Sequence, residues 1–166
     1  MADALIRRAF TPDADDLTRI EEAADALLVE LLAPPSWPEV EPGDVRLALP
    51  GFALIAEIDG EPVGFAHVME IDDHAHLEQL SVLPAHAGAG IGRALLTAAI
   101  DDARARGHAL MTLRTFAEVP FNAPFYASAG FVVAEPDTDF LRELIDIETS
   151  LGLTDIGPRV QMSLAL

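Results

Sequence analysis

Residues 77–96 read Leu77-Glu-Gln-Leu-Ser-Val-Leu-Pro-Ala-His-Ala-Gly-Ala-Gly-Ile-Gly-Arg-Ala-Leu-Leu96. The spacing predicts a strand over His76–Leu83, stopped by Pro84, and a helix from Gly90 in which Ile91, Ala94, Leu95 and Ala98 share a face. Between them Gly88, Gly90 and Gly92 let the main chain turn sharply with its N–H groups exposed, and the helix dipole points its positive end at that turn. Such a turn is a cradle for an anion, a pyrophosphate above all; simple packing at a strand-to-helix junction is the structural alternative. A Walker loop is excluded because it ends in Gly-Lys-Ser/Thr and this chain has no lysine. A dinucleotide fingerprint fits poorly, since Gly90 is followed three residues on by Arg93, and Gly92 by Leu95.

Working outward, Ala4–Phe10 reads as a short strand, and Thr11-Pro12 with Asp13, Asp15 and Asp16 reads as a helix start. Leu17, Ile20, Ala24, Leu27, Leu28 and Leu31 then follow helical spacing as a core stripe up to Pro34-Pro35. Residues 34–51 hold five prolines and the single tryptophan, Trp37, so they predict an irregular connection with one helical turn near Val45–Leu49. Phe52–Ile58 and Val63–Ile71 flank Asp59-Gly60, a hairpin signal. Past the helix that Gly107 closes, Ala109–Thr115 is a strand, Asn122 an N-cap for a short helix, and Phe131–Ala134 another strand. Asp139–Leu151 has a helical pattern and Arg159–Leu166 alternates as a final strand. A mixed α+β sheet with helices on its faces accounts for this order better than a sandwich or a bundle.

The 166 residues are of a length for one domain, 1–166, with a substantial core. No apolar run is long enough to span a bilayer, and Asp3, Arg7 and Arg8 interrupt Met1–Phe10 where a signal peptide is apolar, so a cytoplasmic protein is expected. Cysteine is absent, which removes disulfides and thiolate chemistry. Ten arginines against 28 acids give a net charge of −18, a surface that repels nucleic acid and anionic membranes and favours solubility. No histidine pair has metal-site spacing with a carboxylate, and no metal is expected.

The strand, Val82-x-Pro84, the turn ending Gly90-x-Gly92 and the following Arg-Ala-Leu-Leu resemble the acetyl-CoA-binding motif of the GNAT superfamily of N-acetyltransferases. A second block, Asn122-Ala-Pro-Phe-Tyr126-x-x-x-Gly130-Phe131, is similar to the later motif of that family, in the expected order. The resemblance covers nearly the whole chain. It implies a mixed, mostly antiparallel central sheet of about six to seven strands flanked by helices. It also implies acetyl transfer from acetyl-CoA to an amine by direct attack in a ternary complex. One departure is Ala87 where relatives carry glutamine or arginine, and another is Ala89 at a position often basic. The resemblance assigns cofactor contacts to Leu80, Val82, Ala87, Gly88, Ala89, Gly90, Ile91, Gly92, Arg93 and Asn122. With two side-chain contacts missing, main-chain N–H groups from Gly88 to Arg93 and the Arg93 guanidinium are expected to hold the pyrophosphate.

Acetyl transfer needs a neutral amine, a donor for the oxyanion and a proton for the departing thiolate. With period-two alternation His74, His76, Glu78, Leu80 and Val82 share one face. His76 matches the place where some relatives carry a basic glutamate, and a β-bulge would move Glu78 into that role, so both are base candidates. The resemblance gives the oxyanion to a main-chain N–H of this strand, that of Val82, and the thiolate proton to Tyr126, the only tyrosine. The acceptor is a small-molecule or peptide amine, its pocket expected from residues 34–51 and 135–158, and a homodimer is possible as in relatives. A catalytically silent acetyl-CoA-binding module and a transferase for another acyl-CoA are the competing readings.

Overall fold

The computed structural model describes residues 3–166 and contains a seven-stranded sheet in the order β1-β2-β3-β4-β5-β7-β6. The strands are β1 (Leu5–Arg8), β2 (Gly51–Ile58), β3 (Glu61–Ile71), β4 (His74–Val82), β5 (Leu110–Phe116), β6 (Val132–Val133) and β7 (Arg159–Ala165). The helices are α1 (Ala14–Leu32), α2 (Gly43–Ala48), α3 (Ile91–Ala105), α4 (Ala123–Ser128), α5 (Asp139–Ser150) and α6 (Leu153–Ile156). All pairings are antiparallel except β4 with β5, which run parallel. The fold is therefore α+β, a mixed and mostly antiparallel sheet flanked by helices. No helix of the described residues is long and apolar enough to cross a membrane.

The two sheet faces bury different partners. Ala56, Ala66, Val68, Ala75 and Leu77 pack with Ile91, Leu95, Leu96 and Ala99 of α3; of the face read from the sequence, Ile91 and Leu95 are buried, Ala98 is half-buried and Ala94 is exposed. Ile55 and Phe65 point the other way and pack with Leu17 and Ile20 of α1. The stripe read along α1 as core is core only to Ile20; Ala24, Leu27 and Leu28 further along face a cavity, and Leu31 is exposed. The helix start also differs: the Asp13 carboxylate accepts the Phe10 N–H at 2.8 Å and binds Arg7, so the acid two residues past Thr11 does the capping. Gly43 lets α2 touch α1, because a Cβ there would collide with the Ala14 carbonyl. The strand expected over Phe131–Ala134 shrinks to two exposed valines at the sheet edge.

Two features of β4 position the site. Gln79 pairs with His67 and Leu77 with Val68, so Glu78 has no partner on β3 and forms a bulge. The extra residue reverses the alternation, which corrects the single face read for residues 74–82. Leu80 and Val82 pack against the α3 side of the core with Ala75 and Leu77, while His76 is paired with Met69 on the other face. Second, β4 and β5 pair only over Ala75–Leu77 and Met111–Leu113, and beyond these residues no pairing joins them. The sheet opens there.

Candidate functional site

Two cavities meet at this opening. The larger, about 520 Å³, runs along Leu80, Ser81 and Val82 of β4 to the glycine turn and the start of α3, with Phe121 and Phe125 opposite in sequence and Ala24, Leu27 and Leu28 from α1. The smaller, about 270 Å³, holds Glu78, Trp37, Glu39, Glu41, Arg46, Arg114, Phe116 and Arg159. Asp25, Leu28, Gln79, Leu80, Asn122 and Tyr126 line both, so Tyr126 stands where they join.

The turn has the geometry its glycines imply. Gly88 and Gly90 take φ of 77° and 84°, the left-handed region, and α3 begins directly after Gly90. The first helical bond runs from Ala94 N–H to the Gly90 carbonyl, so the N–H groups of Ile91, Gly92 and Arg93 precede the ladder and have no intrahelical acceptor. Ala87, Gly88, Gly90, Ile91, Gly92 and Arg93 all line the larger cavity, whereas Ala89 does not. The Arg93 guanidinium lies 4.8 Å over the Phe125 ring and bonds Ser128 Oγ. Asn122 occupies the N-cap position of α4 but its side chain does not cap: its Nδ2 is buried without a partner at the cavity. That unpartnered donor, the free N–H groups and the apolar channel between them fit a ligand carrying both amides and phosphates.

On β4, Leu83 N–H donates to Val63 O at 2.8 Å, and alternation along an antiparallel ladder then turns the N–H groups of Val82 and Leu80 away from β3, toward the open edge. Glu78 lines the smaller cavity with a third of its side chain open to it. Its carboxyl is raised above the usual range by burial, with Glu148 and Glu41 adding and Arg46 and Arg159 opposing. His76 lines neither cavity. It is buried, its Nδ1 2.8 Å from Thr112 Oγ1 and its Nε2 3.6 Å from Glu78 Oε2, and burial lowers its pKa to about 3, which keeps the imidazole neutral. Tyr126 is 8% exposed between the rings of Phe125 and Phe131, and burial raises its phenol well above the ordinary value.

The site residues that the sequence reading gave no role are Asp25, Gln79, Arg114 and Arg159, while Leu28 was read as core. Arg114 alone carried a local signal, a cation inside the apolar strand Leu110–Phe116. The two segments expected to shape an acceptor pocket do reach the smaller cavity, through Trp37, Pro38, Glu39, Glu41 and Arg46 and through Leu151 and Leu153.

A sheet opened between parallel strands, with a glycine turn and free helix N–H groups at one end, suits a ligand that carries phosphates. Residues 18–131 match the acetyltransferase (GNAT) family. The chain belongs to that family and is an acetyl-CoA-dependent N-acetyltransferase. Its fold is similar to that of the ribosomal-protein-S18-alanine N-acetyltransferase from Escherichia coli, at 22% identity and a TM-score of 0.71 over 98% of this chain and 94% of that one. PaiA N-acetyltransferase from Thermoplasma acidophilum, solved in complex with coenzyme A, is 18% identical with a TM-score of 0.72 over 99% of both chains. N-acetylglutamate synthase from Neisseria gonorrhoeae, complexed with coenzyme A and N-acetyl-glutamate, has a TM-score of 0.72 at 20% identity, over 100% of this chain and 36% of that one.

Proposed function

We propose that the chain acetylates an amine by direct attack within a ternary complex, with acetyl-CoA in the larger cavity and the acceptor in the smaller. The observation that carries this is that the two cavities join beside Tyr126, Leu80 and Asn122. The N–H groups of Ile91, Gly92 and Arg93 hold the pyrophosphate, as do those of Gly88 and Gly90. Asn122 Nδ2 donates to the pantetheine arm. Acetyl-CoA supplies the activated acyl group, and the chain's residues manage charge and protons around it.

Glu78 takes the amine proton, directly or through a water, because it is the base candidate that lines the acceptor cavity and its raised pKa brings it nearer to that of its task. His76 stands behind it as a neutral ring that positions the bulge. As the amine nitrogen bonds to the acyl carbon, the oxygen gathers charge and the outward N–H of Val82 or Leu80 receives it. The carbon–sulfur bond breaks and Tyr126 gives its proton to the sulfur. Burial keeps the Tyr126 phenol protonated at neutral pH, so its proton is in place when the carbon–sulfur bond breaks. Water then returns the proton held by Glu78 to Tyr126, so the sum is one amide and one thiol from one amine and one thioester.

The test is free-thiol release from acetyl-CoA, with and without a panel of amines. Amine-dependent release with formation of the N-acetyl product is expected. Tight CoA binding with no release for any amine would leave a binding module instead.

A further inference from the structure

The wall of the smaller cavity contains a charge imbalance. Arg114 Nε donates to Glu148 Oε2 at 3.0 Å and Arg159 donates to Glu148 Oε1 at 2.6 Å, so one carboxylate serves two guanidiniums. All three side chains are largely buried, 8%, 13% and 10% exposed, and Arg159 Nε is buried without any partner. The group carries a net positive charge in a place poorly reached by water, which is costly unless an anion joins it. The third arginine of the cavity differs, since Arg46 is bound at both ends by Glu21, at 3.0 and 2.9 Å. Among the described residues Glu148 is the one carboxylate at ion-pair distance from Arg114 and Arg159, although Glu78 lines the same cavity.

Glu78 lines the same cavity and provides the opposite sign. Resting on the ternary-complex reading above, we propose that the acceptor is a free α-amino acid, its carboxylate held by Arg114 and Arg159 and its amine presented to Glu78. The α-position follows from proximity. Arg114, Arg159, Glu78 and Tyr126 all line the one cavity of about 270 Å³, so an anion bound to the two arginines shares that small space with the reacting groups. Planar guanidiniums match a carboxylate with two bonds, as an ammonium does not. A cavity of about 270 Å³ suits a small molecule. A polyamine has no anion to offer this wall, and the N-terminus of a peptide presents a neutral carbonyl in the carboxylate's place.

The experiment compares α-amino acids with their α-amides, with the corresponding carboxylate-free amines and with spermidine. Each is measured for binding to the CoA-saturated protein by calorimetry and for the initial rate of thiol release. The acids are expected to exceed their amides by about 30-fold or more in both binding and kcat/KM, the scale of losing one partner of a desolvated charge pair. Arg159→Gln and Arg114→Gln should erase that preference through KM while CoA affinity holds, and Arg159→Lys should restore part of it. The wild-type comparison stands even if a variant fails to fold. Amides or spermidine used as well as the acids would overturn the proposal and leave the transferase reading intact. Amino acids that bind selectively without thiol release would uphold this pocket and overturn the transferase reading. Absence of amino-acid binding would overturn the proposal whatever the turnover.

Discussion

His76 Nε2 lies 3.6 Å from Glu78 Oε2: strand alternation sets the two on the same side of β4, the bulge at Glu78 turns Leu80 and Val82 to the other face, and of the pair only Glu78 enters the cavity. Glu78→Gln keeps the shape and removes the base. The change should lower kcat/KM by about 10²–10⁴-fold with CoA affinity unchanged. In the wild type, rate should fall as pH drops through the raised Glu78 pKa, because the protonated acid cannot accept a proton. A Gln variant that retains that limb and the rate assigns both to another group.

Tyr126→Phe removes one oxygen from a ring held between Phe125 and Phe131, so packing persists. If the phenol protonates the sulfur, kcat falls about 10²-fold or more while the Kd for CoA stays near wild type. Single-turnover rates at saturating substrates are the measurement. An unchanged rate of the chemical step removes Tyr126 from the mechanism.

Gly90→Val tests the cradle. A Cβ at Gly90 meets no atom within 4 Å, so the cost comes from φ of 84°, which a β-branched residue resists by roughly 1–2 kcal/mol or more. The turn should rearrange and misplace the N–H groups before Ala94, raising the Kd for CoA by about tenfold. Calorimetry on a variant with a normal melting transition checks this; wild-type affinity would move the pyrophosphate elsewhere.

Acid stability should report the buried histidines. His67 is 1% exposed with Nε2 unpartnered, and burial together with the nearby Arg46 lowers its pKa from 6.5 to about 4; His76 falls to about 3. Each is lowered in the folded state, so the unfolded chain binds more protons between these values and 6.5. Their contribution is fully present above pH 6.5 and is lost as pH falls toward 4, by roughly 3 kcal/mol for His67 alone. Urea unfolding at stepped pH measures the slope. His67→Gln should flatten part of it, and a profile identical to wild type would assign the acid lability to other groups.

Local backbone chemistry was legible in the residues themselves. The left-handed glycines of 88–90, the helix that starts after them and the Asp59-Gly60 hairpin are decided by contiguous residues, and the structure contains them where their spacing points. The α3 and β5 signals were equally local, as was the placing of Tyr126 in a short helix after Asn122. What depends on pairing was not. The bulge at Glu78, which the family resemblance offered as an alternative, exists because β4 must match β3 at both Leu77 and Gln79, and no residue type within 74–82 marks the slip that reverses their faces. Asn122 has the composition of a cap, yet α4 sits so that its amide faces a cavity. Arg114 and Arg159 converge on Glu148 only because β5 pairs β7 in one register and α5 folds back over them. A turn is set by the steric freedom of adjacent residues, whereas a cavity and its charges are set by distant strands and helices brought together, which only the packed sheet decides.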